Sequence, residues 1–147
     1  MMAAMALVDL ARLRASPLNP DPYDHVIVEN FLADDMVPAL LDAFPAISGH
    51  GSYPLSTLKC PPLFRRLADE LEGDAMRAAI EEKFALDLSG RPTMITLRGH
   101  SDGKDGGIHT DSSTKLVTVL IYMNPGWDDP AGRLRILRRP DDLGDYA

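Results

Sequence analysis

Near residue 91 the chain changes texture, and that break limits the possible folds more tightly than anything else in its sequence. Before it, apolar residues recur at the 3-4 spacing of helices. From residue 92 onward, β-branched residues gather in short runs between glycine and proline turns. With 147 residues there is room for one core of moderate size, which both halves must share. Short strands separated by such turns point to a sandwich or jelly roll. The expected fold class is therefore α+β, with N-terminal helices packed against the first part of a jelly-roll barrel. Residues 1–21 read as an N-terminal helix and linker. Residues 22–147 read as one domain with a helical half (22–91) and a β half (92–147).

Local signals fill in this outline. A first helix, over about 3–14, should stop before Ser16-Pro17, because the residue preceding a proline is driven out of the helical region. Asn19-Pro20-Asp21-Pro22 is a turn, and 25–31 reads as a strand. Asp34 is placed to cap a helix whose buried face is Val37, Leu40, Leu41 and Phe44. The Gly-, Ser- and Pro-rich stretch 45–60 reads as a loop. Pro61-Pro62 opens a helix ending near Leu71, and Gly73-Asp74 re-caps the chain into another, with Met76, Ala79, Ile80 and Phe84 on one side. Strands are expected over 92–98, 115–123 and 132–138, separated by a polar glycine-rich loop at 99–107 and a long turn at 124–130.

Composition excludes several function classes. There are 22 acidic and 15 basic residues, a net charge of −7. That balance, with few aromatics, is contrary to the basic stripe that a nucleic-acid partner needs. No apolar run approaches the roughly 20 residues of a membrane span, so no membrane partner is expected. Cys60 stands alone, which rules out an internal disulfide framework and suits a reducing, cytoplasmic setting. The N-terminal segment has no basic residue ahead of its apolar stretch and reads as a short amphipathic helix, not as a signal peptide.

The residues that bear chemistry are His109-Thr110-Asp111. On a strand, residues i and i+2 project from one face, so an imidazole and a carboxylate at this spacing can grip one metal ion. They would supply two of the three ligands in the 2-His-1-carboxylate arrangement of non-haem Fe(II) sites. The spacing alone equally fits a surface pair at the end of a hairpin. His100-Ser101-Asp102 repeats it, but inside the glycine-rich loop, where side chains do not alternate between two faces.

A longer series of matches favours the metal. His109-x-Asp111 is followed by an apolar β run, then by Tyr122-Met123-Asn124-Pro125-Gly126-Trp127-Asp128, then by Gly132-Arg133-Leu134-Arg135-Ile136. This order resembles the prolyl-hydroxylase-like branch of the 2-oxoglutarate- and Fe(II)-dependent oxygenases, and the opening 22–32 resembles the start of such domains. The resemblance implies a double-stranded β-helix and a dioxygenase that hydroxylates an aliphatic C–H bond while converting 2-oxoglutarate to succinate and CO₂. It makes His109 and Asp111 iron ligands and puts the Tyr122 hydroxyl on the distal carboxylate of 2-oxoglutarate. Arg98 becomes a residue facing substrate or co-substrate. Asn124 and Trp127 take turn and packing roles, and Arg135 is read as a strand residue in an ion pair. Fe(II) and 2-oxoglutarate are the implied cofactors, with ascorbate as an accessory reductant and a small molecule or peptidyl group as substrate.

The pattern departs from the family in one respect. No histidine follows His109, whereas the family has a third ligand downstream and a basic residue beyond it for 2-oxoglutarate. The sequence therefore reads as lacking the C-terminal part of the domain, with little or no turnover expected of it alone and an open sheet edge that favours a homodimer. The rival readings are a non-catalytic β-domain that acts as a binding module and a cupin-like metal protein that does not use 2-oxoglutarate.

Overall fold

A computed structural model describes residues 5–99, 109–124 and 134–147. Its order begins with α1 (Leu10–Ala15), a 3-10 turn at Asp34–Met36 and α2 (Val37–Asp42). Strand β1 (Ser52–Pro54), a 3-10 turn at Leu55–Thr57, α3 (Pro62–Leu71), α4 (Asp74–Phe84) and β2 (Thr96–Arg98) follow. Among the described residues the sheet is a two-stranded antiparallel ribbon in which Ser52 faces Arg98, Tyr53 faces Leu97 and Pro54 faces Thr96. The architecture is α+β.

Helices α3 and α4 begin where their punctuation residues predict, and α3 ends at Leu71 as expected. Pro62 sits in the first turn of α3, where its missing N–H has no partner to lose. Gly73 is the N-cap of α4, so tightly placed that a Cβ there would come within 3.2 Å of the Asp69 carbonyl oxygen. Phe64, Leu67 and Ala68 are buried at helical spacing on α3, and Met76 and Ala79 on α4. The α3 residues join Leu7, Val8, Leu40, Leu55 and Leu97 in the main core. Phe44, just past α2, meets the Phe64 ring edge-on at 5.5 Å. A second cluster of Leu13, Met76 and Ala79 is continuous with the first through Leu10, Phe31 and Leu71. Each leucine so buried contributes about 1.5–3 kcal/mol.

Helix α1 is shorter than its periodicity suggests, because tertiary contacts claim its first residues. Leu7 and Val8 run antiparallel to 31–33: Asp9 N–H donates to Phe31 C=O at 2.7 Å and Ala33 N–H to Leu7 C=O at 2.8 Å. Their own amides donate to the Glu70 carboxylate of α3, at 2.8 and 3.0 Å from Leu7 and 3.2 Å from Val8. Arg66, one turn before Glu70, donates to the Met5 carbonyl. The helix then starts at Leu10, with the Asp9 carboxylate accepting from Arg12 N–H. It stops at Ser16, which is extended ahead of Pro17. Lys83 Nζ of α4 donates to the Arg14 and Ser16 carbonyls, at 2.8 and 2.5 Å, placing a cation at the negative end of α1.

Four sequence expectations are revised. The 25–31 strand keeps its alternation, with Val26 and Val28 against the second cluster and Ile27 exposed, but it is held by isolated bridges at its margins, Asn19–His25 and Val8–Leu32. Asp34 is the first residue of a 3-10 turn instead of a cap, since the chain enters α2 through Met36. The expected loop 45–60 contributes β1, whose Ser-Tyr-Pro sequence has no apolar run to announce it; Pro54 is tolerated at a strand end. The run 115–123 forms no ladder with other described residues. Leu116, Val119 and Leu120 are exposed there, and Met123 alone of that run reaches the main core. A strand requires a neighbour for its amides, and periodicity by itself cannot supply one.

Of the expected strand at 132–138, the described part ends in a small C-terminal hairpin. Leu137 bridges Tyr146, and Arg138 N–H donates to Asp145 C=O at 3.0 Å. Arg138 also reaches back to the Asp21 carboxylate at 2.8–3.1 Å, tying this hairpin to the loop between Asn19 and His25. Among the described residues no helix is long and apolar enough to cross a membrane.

Candidate functional site

The segment that carries His109 and Asp111 is shaped by hydroxyl groups. Ser113 and Thr114 form a turn in which Lys115 N–H donates to Ser112 C=O at 2.9 Å. The Ser112 hydroxyl accepts from Thr114 N–H at 3.3 Å and shares a hydrogen bond with the Thr114 hydroxyl at 2.9 Å. Side chains of this type stabilise turns by bonding nearby backbone. The reversal brings Thr118 back to Asp111, where Thr118 Oγ1 donates to Asp111 Oδ2.

The other carboxylate oxygen, Asp111 Oδ1, lies 3.8 Å from His109 Nε2. Two donors each roughly 2.1 Å from one first-row ion lie about 3.0 Å apart at a right angle and about 4.2 Å apart when opposed. The observed separation lies between these two, wider than the right angle between neighbouring ligands. Both side chains are open to solvent, at 71% and 40% exposure, so water competes for the ion. The Thr118 hydrogen bond is the main cause that holds the Asp111 carboxyl below its usual value; desolvation opposes it, and the charges of Lys115 and His109 add smaller effects in the lowering direction. Among the described residues no His, Cys, Asp or Glu joins the pair to make a cluster of three.

Arg98 ends β2, and its Nε and Nη2 donate to the Ser52 hydroxyl, at 3.3 and 3.2 Å, across the ribbon. Tyr122 lies on the apolar run with its ring 58% exposed. His100, Asp102, Trp127 and Arg133 lie outside the described residues. Arg135 lies over the Tyr146 ring at 5.2 Å and donates to Leu143 C=O. The ion pair expected of it is made instead by Arg138 and Arg139, with Asp21, Asp142 and Asp145. His25 has Nδ1 2.9 Å from the Tyr23 carbonyl oxygen.

Thr118 is the residue that sequence reading passed over. Its only signal is a hydroxyl set among the aliphatic residues 116–121, seven positions after Asp111. Two shallow cavities, of about 160 and 190 Å³, are lined by residues around Arg66 and around Arg65 and Glu72; neither is lined by His109 or Asp111. No family model, curated protein or solved structure matches the chain.

Proposed function

We propose that this chain is an iron- and 2-oxoglutarate-dependent dioxygenase of the prolyl-hydroxylase-like type, acting on an aliphatic C–H bond of a small molecule or peptidyl group. The observation that carries the reading is the 3.8 Å approach of His109 Nε2 to Asp111 Oδ1, in a segment followed by the Tyr122-x-Asn124 and Gly132-Arg133-Leu134-Arg135 matches. Held at this pair, Fe(II) with 2-oxoglutarate and dioxygen would supply the chemistry in which one oxygen atom of O₂ enters succinate as 2-oxoglutarate loses CO₂ and the other converts C–H to C–OH. The protein's part is to present donors and hold them. His109 offers an imidazole nitrogen, and Asp111 offers a carboxylate oxygen steadied by Thr118. Both must be deprotonated to ligate, so binding weakens at low pH. By the resemblance, Tyr122 is the residue for a co-substrate carboxylate and Arg98 the residue for an anionic group. Cys60 as a free thiol fits a cytoplasmic setting. With no histidine after His109 in the sequence, the affinity for iron and the turnover of this chain are expected to be low.

Mn(II) or Co(II) titration tests the proposal: the chain takes up one ion and His109→Ala abolishes uptake. N-oxalylglycine, a mimic of 2-oxoglutarate, then separates an oxygenase from a cupin-like site by competing at the loaded metal. A metal-free binding module is the second reading, favoured by the exposure of Leu116, Val119 and Leu120. On that reading His109→Ala changes nothing. The same exposed run supports self-association as a homodimer, which sedimentation measures.

A further inference from the structure

We infer that Thr118 is the positioning residue of the His109–Asp111 pair, fixing the carboxylate so that it meets a divalent cation through Oδ1 alone; this rests on the metal reading proposed above. An aspartate carboxyl turns broadly about its last torsion, and a free one can present either oxygen or both. Here Oδ2 is taken by the Thr118 hydroxyl, and Oδ1 is the oxygen that faces His109 Nε2 at 3.8 Å. The choice of oxygen is therefore made before any cation arrives.

The device depends on the turn as much as on the hydroxyl. Seven residues separate Asp111 from Thr118, and the Lys115-to-Ser112 backbone bond with the Ser112–Thr114 hydroxyl contact folds that span back on itself. Threonine suits the position because its branched Cβ restricts χ1 and so aims the hydroxyl. Partners of this kind, which touch a ligand and not the metal, commonly change metal affinity about 10- to 100-fold when removed.

The test uses the whole chain and Mn(II) alone, following the loss of the free-ion electron paramagnetic resonance signal on binding. Thr118→Val, which keeps the shape and removes the hydroxyl, should weaken binding by about tenfold or more and alter the zero-field splitting of bound Mn(II). Thr118→Ser should restore both. Leu120→Ala, at an exposed position of the same run that does not touch Asp111, should bind as the parent does. Uptake by the parent that Thr118→Val matches, or that Thr118→Ser loses equally, overturns the role of Thr118 and leaves the metal reading standing. A parent chain that takes up no Mn(II) overturns the metal reading and this role together.

Discussion

Helix α3 and the run 115–123 are both rich in apolar residues, yet they end in opposite environments. The ten residues of α3 satisfy their backbone internally and turn Phe64, Leu67 and Ala68 into the core. The run 115–123 carries Leu116, Val117, Val119, Leu120 and Ile121, and exposes three of these. The contrast is one of hydrogen bonding before it is one of hydrophobicity. A helix closes its own N–H and C=O groups within each turn, so an apolar stripe suffices to dock it. A strand leaves every second group pointing sideways and needs another strand to finish the job. What 115–123 retains without a ladder is a local structure of hydroxyls, and it is that structure that brings Asp111 and Thr118 together.

Substitutions on the two sides should separate them sharply. Leu67→Ala, at 1% exposure in the main core, is expected to cost about 2–5 kcal/mol, read from urea or thermal unfolding. Glu70→Ala strips the acceptor from the Leu7 and Val8 amides and should cost about 1–3 kcal/mol; hydrogen exchange at those two amides should rise with it. The C-terminal hairpin gives a pH-dependent effect of smaller reach. Arg138 holds the Asp21 carboxyl below its ordinary value of 3.8. The tie is therefore present above that value and is lost as pH falls through the depressed one. Asp21→Asn should release the hairpin at neutral pH, seen as a change in the Tyr146 ring resonances with global unfolding barely moved. Leu120→Ala, at a position 57% exposed, should change stability by less than about 0.5 kcal/mol. A cost near that of Leu67→Ala would show that 115–123 is packed in solution and would erase the comparison.

The same contrast decides what could be read in advance. The starts of helices α3 and α4 were legible, because Pro62 and Gly73 are local signals and the buried positions follow a local period. Strand β2 was legible as a strand but not in extent, and its partner β1 was not, since Ser52-Tyr53-Pro54 has nothing but its position opposite Arg98 to make it one. Residues 3–9 carry a helical pattern, but the carboxylate of Glu70 and the backbone of 31–33 offer Leu7 and Val8 more than a helical turn does. At the candidate site, the two-residue spacing of His109 and Asp111 is a local feature and could be seen. Thr118 could not, because its place depends on a turn whose geometry is set by Ser112 and Thr114.

The clasp between Glu70 and the amides of Leu7 and Val8 has a bearing on how the chain matures. Sixty-three positions separate Leu7 from its acceptor, so during synthesis the N-terminal segment leaves the ribosome long before the residue that will secure it. Until α3 has wound and presented its carboxylate, those amides stay hydrated and the segment trails free. Leu7 and Val8 are thus among the last parts of the helical half to settle.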